Sequence, residues 1–219
     1  MLFDLRSRGR RRTVQAVYLS LAVLMGGGLV LFGVGTGNGI GGLLNGFTGS
    51  GSNNQGQVLS SQVKSAEAQV KKDPNSAPAW ASLIQAHYQN ASSNGFNSAT
   101  GTYTAAGKRE LGEVAAAWQQ YLKLTKNPGY TSANFAANAY AVLAQYANEA
   151  AAWDAATIAQ PSSVHGFECL AMSAYAAGQT RKGDLAAAKV EGMVASSAKK
   201  QVTGLINAAK TNPAYAQSC

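Results

Sequence analysis

The chain is short of proline, histidine and cysteine, with five, two and two in 219 residues. Two cysteines cannot build the disulfide framework that holds small secreted domains together. Charged residues make up 13% and aromatics 8%, yet hydrophobic residues reach 46%, so the low charge does not signal wholesale disorder. Collagen-like and all-β organisations fit this composition poorly. What the chain has in quantity is alanine, about a fifth of the whole. Alanine loses no side-chain entropy in a helix, so an alanine-rich, proline-poor chain predicts packed helices.

The formal charge of +8 divides unevenly. Arg6, Arg8, Arg10, Arg11 and Arg12 face one acid, Asp4, in the first 35 residues, whereas the rest carries 13 basic and 9 acidic residues. A nucleic-acid binder would show a basic face with stacking aromatics or a known module, and neither is present, so no nucleic-acid partner is expected. The basic segment 1–13 instead precedes an uncharged stretch, Val14–Val34, in which Gln15 and Ser20 are the strongly polar side chains. As a helix it spans roughly 30 Å, the thickness of a bilayer core. The arginines set topology: a single-pass cell-membrane anchor is expected, with a cytoplasmic amino terminus and an extracytoplasmic remainder. The stretch is long for a signal-peptide core and lacks a good small-x-small cleavage site, which favours an uncleaved anchor. Residues 35–57 contain nine glycines and no charge, a composition expected to act as a flexible linker with a reach of about 25 Å.

Beyond residue 58 an internal register emerges. Pro74, Pro128 and Pro161 each close a helical stretch, and a 34-residue unit ending near Pro161 makes Tyr130 and Val164 successive first residues. Phe167, Leu170, Ala171 and Gly178 then fall at positions 4, 7, 8 and 15 of one unit. In the unit before it, Ala136, Ala137, Tyr140 and Tyr146 fall at 7, 8, 11 and 17, and Trp153, Ala156 and Pro161 at 24, 27 and 32. Trp80, Leu83 and Ile84 take positions 4, 7 and 8 counted from Ala77. Each unit reads as two antiparallel helices, with small residues at 8 and 20 allowing close approach. The units are 77–129, 130–163 and 164–197 within a helical domain of 58–210, followed by a tail of 211–219. The first unit carries an insert, 91–105, and Thr104 is a candidate N-cap for the helix after it. Glu149 sits at position 20, where a small residue is expected; a one-residue slip turning Ala150 inward would resolve the conflict. An initial helix is expected over 58–72. Val202, Leu205, Ile206 and Ala209 form the i, i+3, i+4, i+7 stripe of a capping helix over 199–210.

These positions resemble the tetratricopeptide repeat (TPR) pattern over about residues 58–198. The order of parts (RGRRRTVQAVYL, LMGGGLVLFG, then AYAAGQTRKGDLA) is similar to single-pass, membrane-anchored TPR proteins of actinobacterial type. The resemblance implies an all-α fold: an N-terminal transmembrane helix, a Gly-rich linker, then a TPR-like antiparallel helix-pair solenoid with a C-terminal capping helix. It also implies a peptide-binding groove lined by Gln85 and Tyr88, by Asn134 and Asn138, and by His165, Glu168, Met172 and Tyr175. These positions hold no lysine or arginine, so the capture of an acidic C-terminal tail is not implied.

Direct chemical signals are sparse. His87 occupies a packing position on its helix. His165 and Glu168 lie on one helical face but make only half a metal site, so no metal and no cofactor is expected. Cys169 and Cys219 could pair outside the cytoplasm, or could be a buried small side chain and an unconstrained thiol; sequence does not supply the Cα separation that decides. A Cys169–His nucleophile pair lacks a third orienting group. No P-loop, GxGxxG, G-x-S-x-G or HExxH occurs. The expectation is a membrane-anchored interaction scaffold of a bacterial cell envelope, without enzymatic activity, whose partner is another protein or peptide segment. A translocon-associated or envelope chaperone for exported proteins is the alternative within the binding class, and an envelope enzyme the alternative outside it. The oligomeric state is not encoded in any motif.

Overall fold

Alanine-rich segments punctuated by capping residues form helices throughout the described chain. The structure, a computed structural model, describes residues 53–219. Arg6–Arg12, the 14–34 anchor and most of the 35–57 linker lie outside the described residues. Helix α1 (Asn53–Lys72) takes in the last residues assigned to the linker from sequence. It is followed by α2 (Ala77–Asn94), the two-residue strands β1 (Phe96–Asn97) and β2 (Thr102–Tyr103), α3 (Ala105–Leu124) and α4 (Tyr130–Val142). Then come α5 (Tyr146–Ala159), α6 (Val164–Ala176), α7 (Thr180–Met193), α8 (Ser196–Thr211) and a 3₁₀ segment, Pro213–Ser218. The described chain is all-α apart from the short hairpin, and residues 59–219 form one compact unit.

Starts and stops follow the local chemistry. Ser76, Thr104 and Ser163 cap α2, α3 and α6 by accepting hydrogen bonds from the amides of Ala79, Gly107 and Gly166, which satisfies donors the first turn leaves unpaired. Short connections return α5 along α4 and α7 along α6, so each pair is antiparallel. The α2–α3 pair is joined instead through the hairpin.

The second and third pairs repeat one another. Helices α4 and α6 begin at Tyr130 and Val164 and are each 13 residues long. Helices α5 and α7 begin at Tyr146 and Thr180, the same interval apart, and are each 14 residues long. Even the turns match. Gln145 donates to the Tyr140 carbonyl at 2.9 Å and Ala144 to that of Ala141 at 3.0 Å. One period later, Gln179 donates to Ala174 at 2.8 Å and Gly178 to Tyr175 at 2.9 Å. This is the Schellman arrangement, which needs a left-handed residue after the helix. Gly178 supplies it at φ 71°, and Ala144 is forced into it at φ 55°.

The core runs through the pairs. Trp118, Trp153, Ile84 and Leu111 are its large members. Ala133, Ala136, Ala137, Ala150, Ala152 and Ala156 are fully buried and bring α4 and α5 close together. Position 20 of the third pair is Gly183, where a Cβ would run into the Tyr175 ring. Position 20 of the second pair departs from the expectation: the slip does not occur, and Glu149 and Ala150 are both 0% exposed. Neighbouring positions on a helix lie about 100° apart. Helix α5 is wedged between α4 and α6, so both directions lead into protein.

The insert also differs from a plain loop. Residues 91–94 extend α2, and 96–103 form an antiparallel hairpin pairing Phe96 with Tyr103 and Asn97 with Thr102. The Asn97 side chain accepts from the amides of Ala99 and Thr100 and so shapes the turn. At the base of the hairpin the backbones of Gly95 and Gly107 touch, and the Thr104 amide donates to the Gly95 carbonyl at 2.8 Å. In α8, Ile206 and Ala209 are buried and Val202 is half-buried, while Leu205 of the expected stripe is turned outward, 41% exposed.

Candidate binding face

Gln85, Tyr88, Asn134 and Asn138 lie on the first helices of the first two pairs. Gln85 is exposed, and Tyr88 stacks on Phe135 at 4.5 Å between ring centres, tying α2 to α4. One turn apart on α4, Asn138 donates from Nδ2 to the Asn134 carbonyl at 2.8 Å and to its Oδ1 at 2.9 Å. Both asparagines are half-buried, and their pairing fixes the side chains without consuming all their donors and acceptors.

The α6 contribution is arranged differently. Helix α8 and the 3₁₀ segment pack on α6, and the segment also reaches α4. Met172 is 4% exposed and Tyr175 9%, so these two of the eight expected groove residues are not open to a ligand. The Tyr175 hydroxyl donates to Asp184 Oδ1 at 2.6 Å, and the Lys210 ammonium sits 4.5 Å from the ring centre. Burial is the first cause that raises the Tyr175 pKa, reinforced by Asp184 and opposed by Lys210. Glu168 is half-buried and His165 exposed. The His165 ring stands edge-on to Trp153 at 5.5 Å, with its two nitrogens 3.6 and 3.7 Å from Cys169 Sγ. Cys169 and Cys219 form a disulfide with Cα atoms 5.6 Å apart. Among the described residues no three His, Cys, Asp or Glu side chains gather as a metal site.

Two polar sites were missed at the level of sequence. His87 Nδ1 lies 2.7 Å from Glu110 Oε2, a part-buried link between α2 and α3 that a wide sequence separation hid. Glu149 is the other: its misfit at position 20 was visible in the sequence, but its burial was not. Both of its carboxyl oxygens and the Trp153 indole nitrogen are buried without a hydrogen-bond partner. Burial pushes the Glu149 pKa up to about 8; the neighbouring indole N–H opposes the rise but does not reach hydrogen-bond geometry.

A cleft of about 320 Å³ opens between α3 and α5, lined among others by Trp118, Leu122, Lys126, Ala155 and Ile158. Ile158 is 72% exposed there, and Asp154 at the rim is tied to Lys182 at 2.9 Å. Glu149 does not line this cleft, so the carboxyl with the displaced pKa and the open volume are separate features. No helix among the described residues is long and apolar enough to cross a membrane. No known protein family matches the chain, and no curated protein matches it.

Proposed function

We propose that this chain is a membrane-anchored interaction scaffold, presenting a TPR-type helical solenoid outside the cytoplasm to a protein or peptide partner. The observation that carries the reading is the repetition of helix pairs at one fixed period, down to the hydrogen bonds of their turns. Stacked helix pairs align their first helices along one face, and repeat proteins use such faces to bind extended chains. On α2 and α4 that face carries Gln85, Asn134 and Asn138, amides able to pair with a peptide backbone while tolerating varied side chains. The location rests on the arginine cluster and the uncharged stretch after it, and the disulfide suits an oxidising compartment.

The test is in-cell crosslinking of the tagged full chain, against a control lacking residues 77–198 but keeping the amino-terminal segments. One or two envelope proteins captured only by the full chain are expected. Capture identical to the control would overturn the scaffold reading, and capture of many unrelated exported chains would redirect it to a chaperone. Changing Asn134 and Asn138 together to alanine should weaken the specific capture; unchanged capture would remove the α4 face from the site.

A further inference from the structure

The cysteine pair does more than close a loop, because of where each sulfur sits and what surrounds it. Cys169 is buried on α6, whereas Cys219 is half-exposed at the end of the 3₁₀ segment. That segment lies on α6, α8 and α4. It buries Ala216, and Gln217 Nε2 donates to the Tyr146 hydroxyl at 3.2 Å. A six-residue 3₁₀ turn with one buried alanine has little apolar anchorage of its own, and the disulfide is its covalent tie to α6. Beside the buried sulfur stands His165, one helical turn earlier, braced edge-on by Trp153.

We propose that Cys169–Cys219 is an exchangeable clasp, opened by a dithiol with His165 assisting, whose opening releases residues 213–219 from the α4–α6 face. The released face continues the one assigned above to a partner, and to that extent the proposal rests on the scaffold reading. The chemistry balances as follows. A thiolate of the dithiol attacks Sγ of Cys219, the half-exposed member of the pair, the sulfur–sulfur bond breaks, and its electron pair leaves on Cys169 Sγ. A thiolate in so buried a position is disfavoured unless a donor meets it, and a ring N–H of His165 is within reach. The second thiol of the dithiol then attacks the mixed disulfide and releases Cys219. The dithiol ends as a disulfide, and its two electrons and two protons end on the cysteine pair. Stabilising the leaving thiolate accelerates the first step, because exchange rates rise as the leaving group's pKa falls.

The experiment uses the full chain in mild detergent with dithiothreitol as the dithiol, following the appearance of thiols under native conditions. His165→Phe keeps a ring against Trp153 but removes the donor, and should slow opening about tenfold. His165→Gln restores a donor and should recover part of the rate, which a merely structural role for the imidazole would not predict. Hydrogen exchange over residues 213–218 should speed up at least about tenfold after reduction, and equally in Cys219→Ser, while α4 and α5 stay protected. A bond that resists dithiothreitol in the folded protein would overturn the proposal. So would equal rates in wild type and His165→Phe, or a segment as protected after opening as before. None of these readouts involves a partner, so they stand or fall separately from the crosslinking result.

Discussion

At the residue scale, the most consequential side chain is Glu149. Its oxygens are buried and unpartnered, so the folded protein holds it protonated up to a pH of about 8. An acid whose pKa is raised by folding takes up a proton as the chain folds. Its stabilisation is complete below the ordinary carboxyl value and is lost as pH rises through about 8. Thermal melts of the wild type should therefore fall steadily between about pH 5 and pH 8. Glu149→Gln imitates the protonated form and should flatten that slope, leaving a midpoint about 10 °C above wild type at about pH 8; parallel slopes for the two proteins would refute the assignment. Ala144 carries strain of another kind. A left-handed non-glycine residue costs roughly 1–2 kcal/mol, so Ala144→Gly should stabilise the protein by about 1 kcal/mol and Gly178→Ala should cost a similar amount, both readable by urea titration.

At the scale of elements, the hairpin junction is the tightest of the glycine positions described. A methyl on Gly107 would meet the backbone of Gly95, and backbone has no rotamer by which to yield. Gly107→Ala should cost about 3 kcal/mol, whereas Gly112→Ala, with open space around it on the same helix, should be neutral or slightly stabilising. Equal effects in equilibrium unfolding would mean the crossing relaxes. Much at this scale was legible in the sequence. The starts of α2 and α3, the Thr104 cap and the repeat spacing follow from helix periodicity and capping chemistry, which act within a few residues. The hairpin was not legible, because its strands are two residues each and leave no alternation to read. The outward turn of Leu205 escaped notice because a stripe on a helix does not say how wide its neighbour is.

For the whole molecule, the disulfide links residues 50 apart and ties the C-terminal segment back onto the third helix pair. Closing a loop of that length removes chain entropy worth about 4 kcal/mol from the unfolded state, so Cys219→Ser should lower the thermal midpoint by about 10 °C without unfolding the protein at about 25 °C. A midpoint unchanged from wild type would mean that the bond constrains little beyond its own segment. Helix packing, apart from the disulfide, divides the expected groove: Gln85, Tyr88, Asn134 and Asn138 stay on α2 and α4, while Met172 is buried and Tyr175 is held against Asp184 of α7 and Lys210 of α8. The open cleft is elsewhere, between α3 and α5.

By itself, the sequence determined the helical class and the period at which its helices pair. These depend on local propensity and on patterns that recur along one chain. Which of the face residues remain open, whether Glu149 turns outward or is sealed in, and which elements the two cysteines join were decided only by the tertiary structure. Each of those depends on contacts between residues far apart in the chain, and a periodic pattern names the buried side of a helix without naming what will cover it.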